Sequence, residues 1–176
     1  MADLDLLTEL VNTADLLSGK DQLAPPAGTK AWLLERGLLE GSTEVGEGER
    51  ARLVALREAL RSLAQRHTGA VADPEAERVF AEEAGRAPLR VRLVGDGADL
   101  VPNGSGFDAV IGSIVGAVYA AALDGSWRRF KACMNDECAW AYRDVSKNRS
   151  RRWCEMASCG NMMNARSYRA RKRHQE

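Results

Sequence analysis

Two short segments decide how the end of the chain folds: Cys133-Met-Asn-Asp-Glu-Cys138 and, after fifteen intervening residues, Cys154-Glu-Met-Ala-Ser-Cys159. Each segment can present a pair of thiolates to one ion, and four thiolates in two close pairs suit tetrahedral Zn²⁺. Four sulfur ligands fill the coordination sphere and leave no position for a substrate. The spacing therefore predicts one structural zinc per chain, with Cys133, Cys138, Cys154 and Cys159 as its ligands.

The residues around the cysteines hold too few large apolar side chains to form a core alone. Those beyond Gly125 are mainly Trp127, Phe130, Trp140, Tyr142 and Trp153. Structural zinc supplies on the order of 10 kcal/mol of folding free energy, so we expect this region to be unfolded without metal. Cysteines that are reduced or disulfide-bonded without an ion are the alternative, and a redox pair fits less well because the spacing is not Cys-x-x-Cys.

The elements around the ligands predict a treble-clef-like finger. Residues 139–142 alternate like a strand, and residues 144–148 supply a turn before the third cysteine. Residues 162–173 have a composition compatible with a helix that follows the last ligand. The zinc-binding domain is predicted to span residues 126–176.

The net charge of zero is the sum of two unlike parts. Residues 1–126 contain 12 basic and 20 acidic side chains, a net charge of −8, and residues 127–176 contain 13 basic and 5 acidic side chains, a net charge of +8. The whole-chain value argues against a nucleic-acid partner, whereas the basic part taken alone favours one. The opposite charges also allow a second hypothesis, in which the acidic part docks on the basic part and screens it.

Basic side chains form two clusters near the cysteines. One cluster precedes the third cysteine and the other lies on the predicted C-terminal helix; together they contain Arg149, Arg151, Arg152, Arg166, Arg169, Arg171, Lys172 and Arg173. Arginine and lysine neutralise nucleic-acid phosphates and release counterions, so these residues are candidate contacts to DNA. A solvated helix face, or a patch that docks on an acidic protein surface, is the alternative.

Residues 1–125 are predicted to form a helical domain with one β-hairpin, which makes the chain mainly α with a small β component (α+β). Apolar residues three and four apart predict helices over 3–17, over 49–67, from Pro74 to Gly85 and over 107–123. A further short helix is predicted to start in the turn at residues 25–29 and to end at Gly37. Arg57 and Arg61 fall on the polar flank of the third helix. From Leu89 the period changes to two, and Gly95-Asp96-Gly97 predicts the turn of the hairpin.

Two observations bear on location. The N-terminus is acidic where a signal peptide needs a basic start, so a cytoplasmic protein is expected. Residues 107–123 lack Lys and Arg, but Asp108 and several small residues favour a buried core helix over a membrane span. In a reducing cytosol the cysteines are expected to bind metal rather than to form disulfides.

A stretch of the sequence from Lys131 onward resembles the CGNR zinc finger of bacterial regulators. The resemblance rests on the four cysteines, on Asp144-Val-Ser-Lys-Asn148, on Arg151-Arg-Trp153 and on Cys159-Gly160-Asn161. The first part is similar to the ABATE domain that precedes such fingers, in Leu10-Val-Asn-Thr13, in Trp32-Leu33 and in residues 55–61. The resemblance implies a DNA-binding transcription regulator in which the cysteines bind zinc and the first domain senses a ligand.

The sequence departs from the family pattern after Asn161, because Met162 stands where the family has arginine. A methionine makes no phosphate contact and no bidentate guanine contact. Arg166 and Arg169 would then carry DNA binding, or affinity is reduced, or position 162 packs internally.

Asn12, Thr13 and Trp32 are the candidate ligand-binding residues of the first domain. The polar pair interrupts an otherwise apolar helix and could line a pocket with the indole, although such residues more often form interhelical hydrogen bonds. The sequence shows no catalytic triad, carboxylate pair or phosphate-binding glycine motif, so no enzyme is expected.

The leading hypothesis is a DNA-binding regulator that is controlled by a small ligand, and a homodimer is one oligomeric state that the sequence allows. The alternative is a zinc-stabilised module that binds RNA or protein.

Overall fold

The computed structural model describes residues 4–71 and 73–173 of the chain. Its helices are α1 (Leu4–Val11), α2 (Pro26–Glu35), α3 (Glu47–Arg66), α4 (Pro74–Arg86), α5 (Gly106–Leu123) and α6 (Asn161–Arg173). Its strands are β1 (Ala14–Asp15), β2 (Lys20–Asp21), β3 (Leu89–Val94), β4 (Gly97–Pro102), β5 (Phe130–Ala132) and β6 (Ala141–Arg143). The strands form three separate antiparallel pairs in chain order. The predicted fold class, mainly α with a small β component, is confirmed.

Helices α3 and α4 have the positions that the sequence predicts. The apolar stripe of α3 is buried through Leu53, Leu56 and Leu60. Helix α4 begins at Pro74, and the carboxylate of Asp73 accepts a hydrogen bond from the backbone N–H of Glu75 at 3.0 Å. Local signals determine both helices because an amphipathic stripe and an N-cap are encoded within a few residues.

Helix α1 is shorter than predicted, because it ends at Val11 rather than near residue 17. The Thr13 hydroxyl donates to the carbonyl of Leu10 at 2.7 Å, and the chain then forms the short strand β1 against β2. The Asp15 carboxylate closes the turn between these strands by accepting from the backbone N–H of Leu17. Polar side chains that bond to the nearby backbone compete with the helix at this point. The N-terminal end of the predicted helix, residue 3, lies outside the described residues.

Helix α5 carries small residues where the β3–β4 hairpin approaches it. A side chain at Gly116 would place its Cβ 3.1 Å from the carbonyl oxygen of Leu100, and one at Gly112 would meet the side chain of Leu89 at 3.2 Å. The small residues therefore allow the hairpin to pack closely on the helix. Most of β3 projects beyond this contact and is exposed on both faces, whereas the sequence predicted one wet face.

The same helix is long and apolar enough to span a membrane, with 18 residues and a mean hydropathy of 1.7. Asp108 and the small residues thus do not by themselves exclude a membrane span. Half of the helix is nevertheless buried inside the protein, and Val110, Ile111 and Ile114 belong to the main core. Core helices of soluble proteins share these properties, so the helix is weak evidence for a membrane segment.

The main core extends across the sequence boundary predicted at residue 125. Phe130, Ala132 and Ala141 of the β5–β6 pair belong to the same buried cluster as the apolar residues of α1, α3 and α5. Within the described residues, none of the ion pairs joins residues 4–126 to residues 127–173. The two parts are thus in contact, as the docking hypothesis proposes, but through apolar packing rather than through ion pairs.

Candidate functional site

The four cysteine sulfurs form one cluster, in which all of them lie within 4.8 Å of one another. The Sγ atoms of Cys138 and Cys154 are 3.7 Å apart, as are those of Cys154 and Cys159. Sulfurs bound to one tetrahedral Zn²⁺ at about 2.3 Å would be separated by about 3.8 Å, so the donor set fits this ion. The first two ligands lie between β5 and β6, and the last two precede α6.

The surroundings of two of the thiols, Cys138 and Cys154, favour their protonated forms when no metal balances them. Burial raises the pKa of Cys138 to about 11, and burial together with the nearby Cys133 sulfur raises the pKa of the Cys154 thiol. Burial opposes ionisation of Cys159 as well, but hydrogen bonds from Asn135 and the other thiols lower its pKa. A bound zinc ion would replace these protons and balance the thiolate charges, so metal binding releases protons.

Neighbouring residues hold the ligand segments in position. The buried Asn135 donates its Nδ2–H to the sulfur of Cys159 at 3.8 Å, and its carbonyl accepts from the backbone N–H of Cys138 at 2.9 Å. Gly160 lies close to two side chains, because a Cβ there would meet the sulfur of Met156 and would lie 3.1 Å from Trp153, so a larger residue would have to displace them. These contacts orient the ligands in the manner expected of the residues around a structural metal.

A buried ion pair fixes the loop between the two ligand segments. Lys131 Nζ lies 2.7 Å from Asp144 Oδ2, with both side chains buried, and it also donates to the carbonyls of Arg149 and Arg151. Burial alone would raise the pKa of Asp144, but hydrogen bonds from Lys131 and Ser146 outweigh it and hold the pKa well below its usual value. All three ammonium protons are used, so this lysine anchors the basic loop.

The outer edges of the β5–β6 pair are covered by side chains of the first part. His67 Nδ1 lies 2.8 Å from the carbonyl oxygen of Phe130, and the Thr68 hydroxyl donates to the carbonyl of Ala132 at 3.1 Å. The Asn12 amide accepts from the backbone N–H of Ala141 at 2.8 Å and donates to its carbonyl at 3.0 Å. It thus replaces a neighbouring strand, and both edges of the pair are satisfied.

Arg61 connects the end of α1 to the first ligand segment. Its guanidinium donates to the carbonyl of Ala139, next to Cys138, at 3.0 Å and to that of Val11 at 2.7 Å. Arg57 bonds to the Thr13 hydroxyl and to Asp21, and both arginines are buried. The assignment of these arginines to a polar flank is therefore wrong, because polar partners from three other segments meet them inside the protein. The sequence carries no local signal for such partners.

The basic residues that are predicted to contact nucleic acid differ in whether they already bond to other residues of the protein. The Arg151 guanidinium donates to the carbonyls of Trp153 and Cys154 and lies over the Tyr142 ring, and Arg152 contacts the sulfur of Met134. Arg166 forms an ion pair with Glu137 at 2.8 Å. The others are exposed without an ion pair to any described residue: Arg149, Arg169, Arg171, Lys172 and Arg173. Met162 is half-buried on the same helix as the last four.

The three predicted ligand-binding residues are occupied by contacts within the protein. Asn12 covers the edge of β6, and Thr13 bonds to Leu10 and Arg57. Trp32 is buried beneath the guanidinium of Arg36, and its Nε1–H has no partner among the described residues. Ligand binding by these three residues stays a prediction, and the hydrogen bonds of Asn12 to β6 and of Thr13 to Leu10 and Arg57 favour a structural role.

The fold and the thiol cluster together define a helical protein that carries a four-cysteine zinc finger. Comparison with known families agrees, because residues 129–172 match the family model of the CGNR zinc finger. Residues 4–124 match the ABATE family, which is described as "Putative stress-induced transcription regulator". The chain therefore belongs to the ABATE family, and its cysteine cluster supports one structural zinc. No curated protein matches the chain.

Proposed function

We propose that the protein is a cytoplasmic DNA-binding transcription regulator, in which the zinc finger (residues 126–176) and its basic helix contact DNA. The main support is the exposed basic surface of α6, where Arg169, Arg171, Lys172 and Arg173 have no ion pair to any described residue. Such a surface suits phosphate contacts, which bring release of counterions. The family description, a transcription regulator, supports the same reading.

The first domain (residues 1–125) would control DNA binding through a small molecule. The hydrogen bonds of Asn12 and Arg61 to the finger backbone support this part of the proposal. A ligand that shifts α1 against α3 would change these bonds directly, since Asn12 joins the end of α1 to β6 and Arg61 joins α3 to the residue after Cys138. No catalytic step enters this function.

The test is binding of the zinc-loaded protein to a mixed-sequence DNA duplex across a salt series. We expect affinity to fall linearly on a logarithmic scale as salt rises, with a slope of about −0.9 for each phosphate contacted. The double variant Arg169→Ala/Arg173→Ala should reduce the magnitude of that slope by about 2. The matched control Arg90→Ala/Arg92→Ala removes the same charge from the exposed β3 strand and should leave the slope unchanged.

Absence of binding to any duplex, or an equal effect of both double variants, would overturn the proposal. Stronger binding to a structured RNA or to an acidic protein under the same salt would favour the alternative module. Equilibrium sedimentation of the same samples reports whether the protein binds as a homodimer.

A further inference from the structure

A cleft of about 460 Å³ lies where the end of α3 meets the zinc finger. It is lined by Arg66, His67, Trp127, Arg128, Lys131 and Arg149. Trp127 and Arg128 come from the short helical turn just before β5. The cleft is therefore built from both parts of the chain, at the seam that joins them.

The lining of this seam cleft is strongly basic. It contains three arginines, one lysine and no carboxylate. Arg66 forms an ion pair with Glu77, and the Lys131 ammonium is paired with Asp144. The described residues provide no ion pair for Arg128 or Arg149, and both side chains are exposed at the cleft. Two guanidinium groups are thus free to bind an anion with several oxygens.

The position of Arg149 is fixed by the residues beneath it. Its backbone has a φ of +51°, a left-handed conformation that residues other than glycine seldom adopt. Its carbonyl accepts a hydrogen bond from the buried Lys131, which anchors the loop at this point. The guanidinium therefore extends from an ordered backbone at the cleft rather than from a free loop.

The aromatic wall of the cleft is also ordered. Trp127 stacks on Phe130 with ring centroids 5.4 Å apart and meets the edge of His67 at 5.2 Å. Burial lowers the pKa of His67, and the neighbouring cations lower it further. The imidazole is therefore neutral at pH 7, and its Nδ1 contacts the Phe130 carbonyl. The wall presents a rigid aromatic surface beside the two arginines.

We infer that the seam cleft binds a phosphate group, held by the guanidinium groups of Arg128 and Arg149. The phosphate belongs either to a small phosphorylated molecule or to the DNA backbone, since both present the same oxygens to the same donors. The inference does not depend on the proposed DNA contacts of α6, and it shares only Arg149 with the basic residues that the sequence marks as candidate DNA contacts. It assigns to Arg66, Trp127 and Arg128 a role that the sequence did not indicate.

Titration of the full zinc-loaded chain with inorganic phosphate tests the inference, with the ¹⁵N indole resonances as the readout. We expect the Trp127 resonance to shift and to saturate, with sodium chloride at matched ionic strength as the control. Arg128→Ala and Arg149→Ala should each weaken binding about tenfold or more, because each removes a charge-assisted contact. Arg143→Ala removes an exposed charge outside the cleft and should change affinity by no more than about twofold.

Shifts that grow linearly with phosphate, or an equal loss in Arg143→Ala, would overturn the site. A second titration with a DNA duplex separates the two sources of phosphate. If phosphate displaces the duplex and Arg128→Ala weakens duplex binding, the cleft takes a backbone phosphate. If the Trp127 shift persists when the duplex is bound through α6, the cleft takes a small phosphorylated molecule. Loss of duplex binding in Arg169→Ala/Arg173→Ala with an intact Trp127 response would separate this site from the proposed function.

Discussion

The two halves of the zinc finger are held in different ways. The β5–β6 pair is buried against the first domain, and side chains of α1 and α3 cover its edges. Helix α6 has no buried residue and no such cover. Zinc joins the two, because Cys133 and Cys138 belong to the buried half and Cys154 and Cys159 to the half that carries α6. The comparison indicates a fixed base, the β5–β6 pair, to which Lys131 also anchors the loop before Cys154, and an exposed helix α6 that is joined to this base mainly through zinc.

Removal of zinc should have the largest effect. Structural zinc contributes roughly 10 to 16 kcal/mol in finger peptides, and the base already has its own attachment. We expect chelation to abolish the order of α6 and of residues 153–160, while β5, β6 and the loop that Lys131 anchors stay packed on the first domain. Far-ultraviolet circular dichroism and the amide spectra before and after chelation check this. If the first domain unfolds at the same time, the β5–β6 pair does not keep its packing without the metal.

Breaking the buried ion pair should come next. Lys131→Met leaves the Asp144 carboxylate buried without its partner, and such a loss costs about 3 to 5 kcal/mol. Lys147→Met, at an exposed position of the same loop, should change the free energy of unfolding by no more than about 0.5 kcal/mol. Urea unfolding of the zinc-loaded variants measures both. Equal values for the two variants would contradict an anchoring role for Lys131.

The same carboxylate predicts a pH dependence. Because folding depresses the pKa of Asp144, its stabilising contribution is complete above the unfolded value of about 3.9 and declines as pH falls through the lower folded value. The difference in unfolding free energy between the natural protein and Asp144→Asn should therefore shrink as pH falls below about 4. A difference that is constant over this range would exclude the linkage. Zinc content is measured at each pH, because acid protonates the cysteine ligands and releases the metal, and only samples with equal zinc content are compared.

Loss of the edge cover should have a smaller effect. Asn12→Ala leaves the backbone N–H and carbonyl of Ala141 without their partner, at a cost of about 1 to 3 kcal/mol. Asn12→Asp keeps the acceptor and loses the donor, so it serves as the matched variant. Urea unfolding should place both variants below the natural protein. An unchanged midpoint for Asn12→Ala would mean that water replaces the amide without loss.

Substitution on α6 should have the smallest effect on stability. Tyr168 is 64% exposed, and Tyr168→Ala should change the free energy of unfolding by no more than about 0.5 kcal/mol. The measurement is the same urea series, with the zinc content confirmed. A loss comparable to that of Asn12→Ala would show that α6 has a buried contact and would weaken the distinction between the two halves.

The sequence predicts well what is encoded locally. Helix α3 follows from its leucine stripe, α4 from Asp73 and Pro74, and the metal cluster from cysteine spacing alone. It fails where a partner is distant in the chain. Asn12 bonds to Ala141, 129 residues away, and Arg61 is buried because backbone carbonyls of other segments accept from it. Neither partner is visible in a local pattern.

The seam cleft shows the same limit in the candidate site. The sequence predicts ligand contacts at Asn12, Thr13 and Trp32, because polar residues interrupt an apolar helix there. His67 and Arg128 form no local pattern, because they are 61 positions apart in the chain and meet only when β5 packs on α3. Arg128 and Lys131 lie at the start of the finger, outside the two basic clusters that the sequence marks as candidate DNA contacts.

Hydrogen exchange of the zinc-loaded protein tests most directly the distinction between the buried β5–β6 pair and the exposed helix α6. The distinction predicts that the amides of Lys131 and Ala141 exchange as slowly as those in the middle of α3, whereas the amides of α6 exchange much faster. Asn12→Ala should accelerate exchange at Ala141 and leave α6 unchanged. If β5, β6 and α6 exchange together at one rate, the finger opens as a single unit, and its base is not a fixed part of the first domain.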